Sequence, residues 1–226
     1  MQKVNILLLF FFLSLIALAS NESKSPTSNT PQKEFNGILE YVEYTPFDTT
    51  FFKVYVSNNK IRVDSYKNKK SKRVLEKILI YNLKNKNVVV LKPSEKKYRL
   101  LDVNVVDHRN TEGCKMILNK NNYKYINGYK CIQYRVKNIS ENTDITYWIP
   151  EEDFPFYYEM ISMKRSMLRV YKYFFMLPNY KVAFPMQTVE RGLLREEKSS
   201  YKVVGLAESK VSSSIFEIPK GYTLNE

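Results

Sequence analysis

The sequence predicts a mainly β, α+β fold organised around an antiparallel meander, and three observations carry that expectation. The 226 residues include 18 tyrosines and 13 phenylalanines, flat side chains that suit a pleated, half-buried surface. Short apolar runs are separated by polar clusters of Asn, Lys, Ser and Pro at near-regular spacing, which is the pattern of hairpins and not of a βαβ array. One segment, Glu152 to Phe175, places apolar residues at helical intervals. With 44% apolar residues the chain can fill a sizeable core.

In chain order, Lys3 precedes an apolar run from Val4 to Ala19 that closes on Ala17-Leu18-Ala19. Residues 1–19 therefore read as a secretory signal peptide. The run is shorter than the roughly 20 residues of a membrane span, and Ser20-Asn21-Glu22-Ser23 stands where a basic stop-transfer cluster would be. A retained anchor is the alternative. The small residues are not followed by a cysteine, so a lipoprotein-type acyl anchor is not expected. The mature chain is expected to begin at Ser20 or Asn21 and to be soluble in the periplasm or cell envelope. Residues 20–34 carry no large apolar side chain and predict a disordered leader. Residues 35–226 are expected to form a single domain.

The domain begins with a strand from Phe35, although Ile38, Val42 and Tyr44 share a parity with Glu40 and the alternation is imperfect. Phe51–Val56 and Ile61–Tyr66 flank the polar Ser57-Asn58-Asn59-Lys60 and predict a hairpin. Strands follow at Ile78–Tyr81, Val88–Leu91 and Tyr98–Leu101, with turns at Lys84–Asn87 and Pro93–Lys96. The basic tract Lys67–Arg73 interrupts this meander as a solvated loop, or as a contact for an anionic headgroup or polymer. Asp102–Gly113 is polar and predicts a loop. Strands return at Lys130–Lys137 and at Asp144–Ile149, the latter stopped by Pro150. Met160, Met163, Met167, Leu168 and Tyr171 recur at spacings of three and four and predict a helix. Glu151-Glu152-Asp153 suits its N-terminus. Phe184–Glu190, Tyr201–Glu208 and Ser214–Ile218 complete the expected strands.

The charge pattern and chemistry narrow the function classes. Without residues 1–19 the net charge falls from +13 only to +12, Lys3 being the single charged residue removed. Such a balance commonly signals nucleic acid, but an exported chain meets little of it. The alternatives that remain are an anionic membrane or envelope surface and plain solubility. His108 is the sole histidine, beside Asp107 in a predicted loop, and makes no recognisable pair with Cys114. Only 6 glycines are present, without a phosphate-binding loop or a His-Glu metal motif. No enzymatic activity, metal or cofactor is expected. Export and the absence of a third thiol predict a Cys114–Cys131 disulfide, with two buried thiols acting as small hydrophobes as the alternative.

An ordered set of segments carries a resemblance. Ile126-Asn127-Gly128-Tyr129-Lys130-Cys131-Ile132-Gln133-Tyr134 and Thr146-Tyr147-Trp148-Ile149-Pro150 are followed by Phe184-Pro185-Met186-Gln187-Thr188 and by Ser213–Tyr222, which holds Phe216-Glu217-Ile218-Pro219-Lys220-Gly221-Tyr222. Together they resemble a bacterial envelope family described as a numbered domain of unknown function, with a fold similar to the lipoprotein carrier LolA and the lipid carrier LppX. The resemblance, over about Gly37 to Tyr222, implies a curved antiparallel sheet forming an incomplete barrel, with one or more helices on its concave side. It supplies no catalytic residues.

The reading that follows is a non-catalytic exported protein binding an apolar ligand, a lipid or the acyl chains of a lipoprotein, in the concavity. Tyr147, Trp148, Met160, Met163 and Met167 are the candidate lining, methionine being flexible and polarisable enough for an adaptable wall. The alternative is an envelope interaction module whose concave face is filled by its own helices and whose outer surface binds protein or polymer. An open apolar cavity of some hundreds of Å³ distinguishes the first from the second.

Overall fold

A computed structural model of the chain describes residues 35–103, 112–163 and 169–225. The predicted signal peptide and leader, His108 and Met167 lie outside them. Strands β1 (Gly37–Tyr44), β2 (Thr49–Ser57), β3 (Lys60–Lys69), β4 (Lys72–Asn82), β5 (Asn87–Lys92) and β6 (Lys97–Asp102) form one meander. A second runs through β7 (Cys114–Ile126), β8 (Tyr129–Asn138), β9 (Thr143–Pro150), β10 (Gln187–Arg191) and β11 (Glu197–Glu208). The antiparallel pairing of β1 with β11 joins the two into one open, curved sheet, an incomplete barrel. Its edges are β7 and the short β12 (Thr223–Leu224), which pairs parallel to β6. Gly37 permits the β1–β11 join, since a Cβ there would stand 2.2 Å from the Ala207 carbonyl oxygen.

The concave face is written in rows across the strands. One row runs Val56, Ile61, Tyr81, Val88, Leu101, and the next runs Leu39, Val54, Val63, Leu79, Val90, Arg99. In β1 the inward set is therefore Leu39, Tyr41 and Glu43, and Glu40 is an ordinary outward residue beside Val42. Helix α1 (Pro155–Ser162), the single turn α2 (Arg169–Lys172) and a 3₁₀ turn at Tyr173–Met176 supply Phe156, Met160, Ile161, Val170, Phe174 and Phe175 to the same core. Pro155 opens α1, where its missing N–H costs nothing. Helix therefore begins after the Glu151-Glu152-Asp153 cluster, and no acidic residue sits in its first turn.

A second, smaller core lies on the convex face, where Phe216, Val211, Ile215 and Tyr222 pack on Ile78, Ile80 and Leu91. Arg62 ties this segment down. Its Nε and Nη2 donate to the two carboxylate oxygens of Asp64 at 2.6 and 3.1 Å, and its Nη1 donates to the Ile215 carbonyl at 2.8 Å.

Several expectations are corrected. Ser214–Ile218 is not a strand, because Ser213–Phe216 forms a 3₁₀ turn that lowers Phe216 onto the sheet. Cys114–Ile126 is a strand that its Lys- and Asn-rich composition concealed, since an edge strand needs little apolar surface. Lys67–Arg73 does not interrupt the meander. It forms the ends of β3 and β4 about a turn at Lys70 and Ser71, both at positive φ (46° and 64°), as a tight hairpin turn requires.

The Cys114–Cys131 disulfide is also corrected, as both thiols are free. Cys114 opposes Asn138 at one end of the β7–β8 hairpin, and Cys131 opposes Lys124 near the other. Asn138 is seven positions along β8 from Cys131, about 23 Å at a strand's rise per residue, and a disulfide needs Cα atoms within about 7 Å. Cys131 is fully buried, and burial, then the nearby Glu152 carboxylate, pushes its thiol up to about 11. Alkylation of native protein at neutral pH should label the half-buried Cys114 and spare Cys131, with both labelled after denaturation without reductant. No labelled thiol in the denatured sample would contradict the register. Cys131 favours the fold while neutral in both states, so this contribution is full below about pH 8.5, the ordinary thiol value, and is lost as pH rises to about 11.

Candidate functional site

The cleft lies between the helical segment and the concave face of β1–β6, and its polarity changes along the strands. At the deep end, Leu39, Tyr41, Val54, Phe156, Tyr157, Met160 and Tyr171 enclose a pocket of about 40 Å³. Tyr41, Met160, Tyr171 and Tyr201 are shared with an open cleft of about 380 Å³, whose other walls include Phe52, Val63, Leu79, Val90 and Met163. Further out, Glu43, Phe52, Ser65, Lys77, Val90 and Arg99 belong also to a groove of about 530 Å³ that adds Lys67, Lys92 and Lys97. The strand register explains the gradient. Beyond the row through Leu39 and Leu79 comes Tyr41, Phe52, Ser65, Lys77, and then Glu43, Thr50, Lys67.

The apolar section is built by stacked rings and held phenols. Tyr41 stacks on Phe52 with ring centroids 4.4 Å apart and an interplanar angle of 13°. The Tyr201 hydroxyl donates to Glu43 Oε1 at 2.8 Å. Burial, followed by the neighbouring phenol of Tyr171, holds both Tyr41 and Tyr201 above the ordinary phenol range. These hydroxyls are therefore neutral across physiological pH, and the deep end offers apolar surface with a few hydrogen-bonding groups and one exposed ammonium, that of Lys202. A hollow of about 1200 Å³ elsewhere, between the β2–β3 turn and Glu208–Ser213, is lined chiefly by Asn, Ser and Lys.

The structure separates the candidate lining residues. Met160 walls both the pocket and the cleft, and Met163, 2% exposed, walls the cleft. Tyr147 faces the same side but is sealed in the core, its hydroxyl donating to the Val170 carbonyl at 2.7 Å and its ring 6.1 Å from Phe174. Trp148, one residue on, points to the opposite face, where the Lys124 ammonium sits 4.1 Å from its ring centroid. It is not a lining residue. Met167 lies outside the described residues. Phe52 and Leu79 were not singled out from sequence, and Tyr171 only as part of the helical spacing. The alternation of β2 and β4 marks a face for the first two, but only the helix position tells which face is roofed.

Among the described residues no helix is long and apolar enough to cross a membrane. The family model for a domain of unknown function, DUF4412, matches residues 35–222. Among curated proteins none matches the chain. An uncharacterized conserved protein from Thermus thermophilus is 9% identical with a TM-score of 0.50, over 84% of this chain and 90% of that one, and shares the fold. MucB, solved in complex with MucA from Pseudomonas aeruginosa, is 6% identical with a TM-score of 0.46, over 80% of this chain and 55% of that one, so the chain spans little more than half of it. A domain assigned to outer membrane lipoprotein sorting, from Vibrio parahaemolyticus, is 7% identical with a TM-score of 0.30, over 80% and 87%.

Proposed function

The chain belongs to the DUF4412 family, and for this member we propose a non-catalytic, exported envelope protein that binds an acyl chain, of a lipid or a lipoprotein, in the concave cleft. The observation that carries this reading is the cleft of about 380 Å³ walled by Tyr41, Phe52, Val63, Leu79, Met160 and Met163. Its volume falls in the range of small-molecule sites, and its walls would hold a chain by burial at about 25 cal/mol per Å² of apolar surface. Charged side chains are few at the deep pocket, where Lys202 is one, and gather through Glu43, Lys77 and Arg99 toward the outer groove, so an amphiphile has a more apolar end and a more polar end to match. Export rests on the reading of residues 1–19, and residues 35–226 are taken as one domain.

A second reading has its own support. Beneath β8–β11 the chain fills its own concavity, where Phe154, Phe156, Phe174, Phe184 and Tyr157 form a continuous ring cluster with centroid separations of 5.1 to 6.3 Å. If the open half also serves only as scaffold, the protein is an interaction module. Titration of the exported protein with a fluorescent fatty acid decides between them. Saturable binding, displaced by lipid extracted from the same envelope, is expected. A folded protein that binds no acyl chain, and shows no co-purified lipid by native mass spectrometry, overturns the carrier reading.

A further inference from the structure

Five turns stand side by side along one rim of the sheet: β5–β6, β3–β4, β1–β2, β10–β11 and β8–β9. Three of them hold a large apolar side chain out in water. Phe47 is 96% exposed, Leu194 92% and Ile139 77%. The turns at the opposite rim are polar at their tips: Asn58-Asn59, Lys84-Asn85-Lys86 and Asn127-Gly128. Turn tips ordinarily use such residues, so the apolar tips are confined to one end.

The exposed side chains are held in place by their turns. The Asp48 N–H donates to Thr45 Oγ1 at 3.0 Å and the Thr45 N–H to the Asp48 carbonyl at 2.9 Å, closing the loop that carries Phe47. The Leu193 N–H donates to Asn142 Oδ1 at 2.8 Å and Lys198 Nζ to the Asn142 carbonyl at 2.5 Å, so the turns bearing Leu194 and Ile139 form one unit. The β3–β4 turn supplies the charge, with Lys67, Lys69, Lys70, Lys72 and Arg73 all exposed, and the β5–β6 turn beside it is the polar Pro93-Ser94-Glu95-Lys96. Lys67 pairs with Asp48 of the neighbouring loop, and Lys69 with Glu76 at 2.6 Å.

We propose that this rim docks on an anionic phospholipid membrane surface, with Phe47, Leu194 and Ile139 entering the headgroup and acyl boundary and the β3–β4 turn meeting the anionic headgroups. Apolar tips flanked by lysines combine the two contributions that bind a protein to such a surface, burial and charge. The Glu43, Thr50, Lys67 row, at the outer end of the cleft, lies at this same rim. A docked rim therefore opens the groove toward the membrane. The docking stands without the acyl-chain reading and is tested apart from it.

The test is flotation of the exported protein with vesicles of phosphatidylcholine, with or without phosphatidylglycerol. Wild type should bind the phosphatidylglycerol vesicles at least about tenfold more strongly, and less so as salt rises. Phe47→Ser with Leu194→Ser, and separately Lys70→Glu with Lys72→Glu, should each weaken that binding about tenfold. These positions are exposed, so melting temperatures should be unchanged. Every variant keeps the same N-terminus, so differences between them read the turns. Leu194→Trp fluorescence should shift to the blue on adding phosphatidylglycerol vesicles. Equal binding to both vesicle types, unchanged binding of the serine variant, or no shift at Leu194→Trp overturns the proposal. Weakened binding in the charge variant alone, with equal affinity of wild type for dextran sulfate, would mark a polyanion site and also overturn it. Fatty-acid titration of the serine variant without vesicles should match wild type, which separates failure of the rim from failure of the cleft.

Discussion

Leu79→Glu is expected to weaken fluorescent fatty-acid binding by at least about tenfold while leaving the protein folded. Leu79 lies in the cleft wall between Val63 and Val90 on the flanking strands and is only half-buried. A glutamate there can turn its carboxylate toward water in the empty protein. With an acyl chain in place it must lose hydration or take up a proton, a cost of several kcal/mol for full burial; Lys77 and Arg99 line the same cleft and can offset part of it, but about 1.4 kcal/mol already gives tenfold. Met163→Glu should abolish binding too, but Met163 is 2% exposed, so it should also destabilise the fold, by about 2–5 kcal/mol. Leu100→Glu, on the opposite face of β6 and exposed, is the control and should change neither property. Unaltered binding by folded Leu79→Glu protein would place the ligand elsewhere.

Asp64→Ala is the substitution expected to cost the fold most. Asp64 is 3% exposed and accepts both fork hydrogen bonds of Arg62, whose remaining nitrogen clamps the Ile215 carbonyl. Removing the carboxylate leaves a largely buried guanidinium unpaired, at about 3–5 kcal/mol. It also loosens the turn that carries Phe216 onto Ile78, Ile80 and Leu91. At about 2–4 °C per kcal/mol for a domain of this size, thermal unfolding followed by circular dichroism should show a drop of about 6–20 °C. Arg62→Lys keeps a charge but not the fork, and should fall between the two. A drop of less than about 2 °C would show that the convex segment does not depend on this clamp.

Much of the strand pattern was legible because turns and strands are local. Pro93–Lys96 and Asn58-Asn59 announce their hairpins, and the β-branched run at Val88–Leu91 favours a strand. The edge strand Cys114–Ile126 escaped because its signal, apolar burial, is what an edge lacks. Met160 and Met163 were found by helical spacing. Trp148 was misplaced as lining, since alternation says that it and Tyr147 face opposite sides without saying which side the helix covers.

Read alone, the chain specifies the β class, the hairpin turns, the helical Met-bearing segment and the family. The remainder is set in three dimensions, by contacts that join residues far apart in the chain. The β1–β11 pairing brings Gly37 to Glu208 and closes two meanders into one curved face. Strand register, which counting cysteines does not reveal, sets Cys114 and Cys131 at opposite ends of one hairpin. Period-two alternation divides each strand into two faces but leaves them equivalent. Only the docking of α1 on one face and of the Phe216 turn on the other makes Leu79 a cleft wall and Ile80 a buried support.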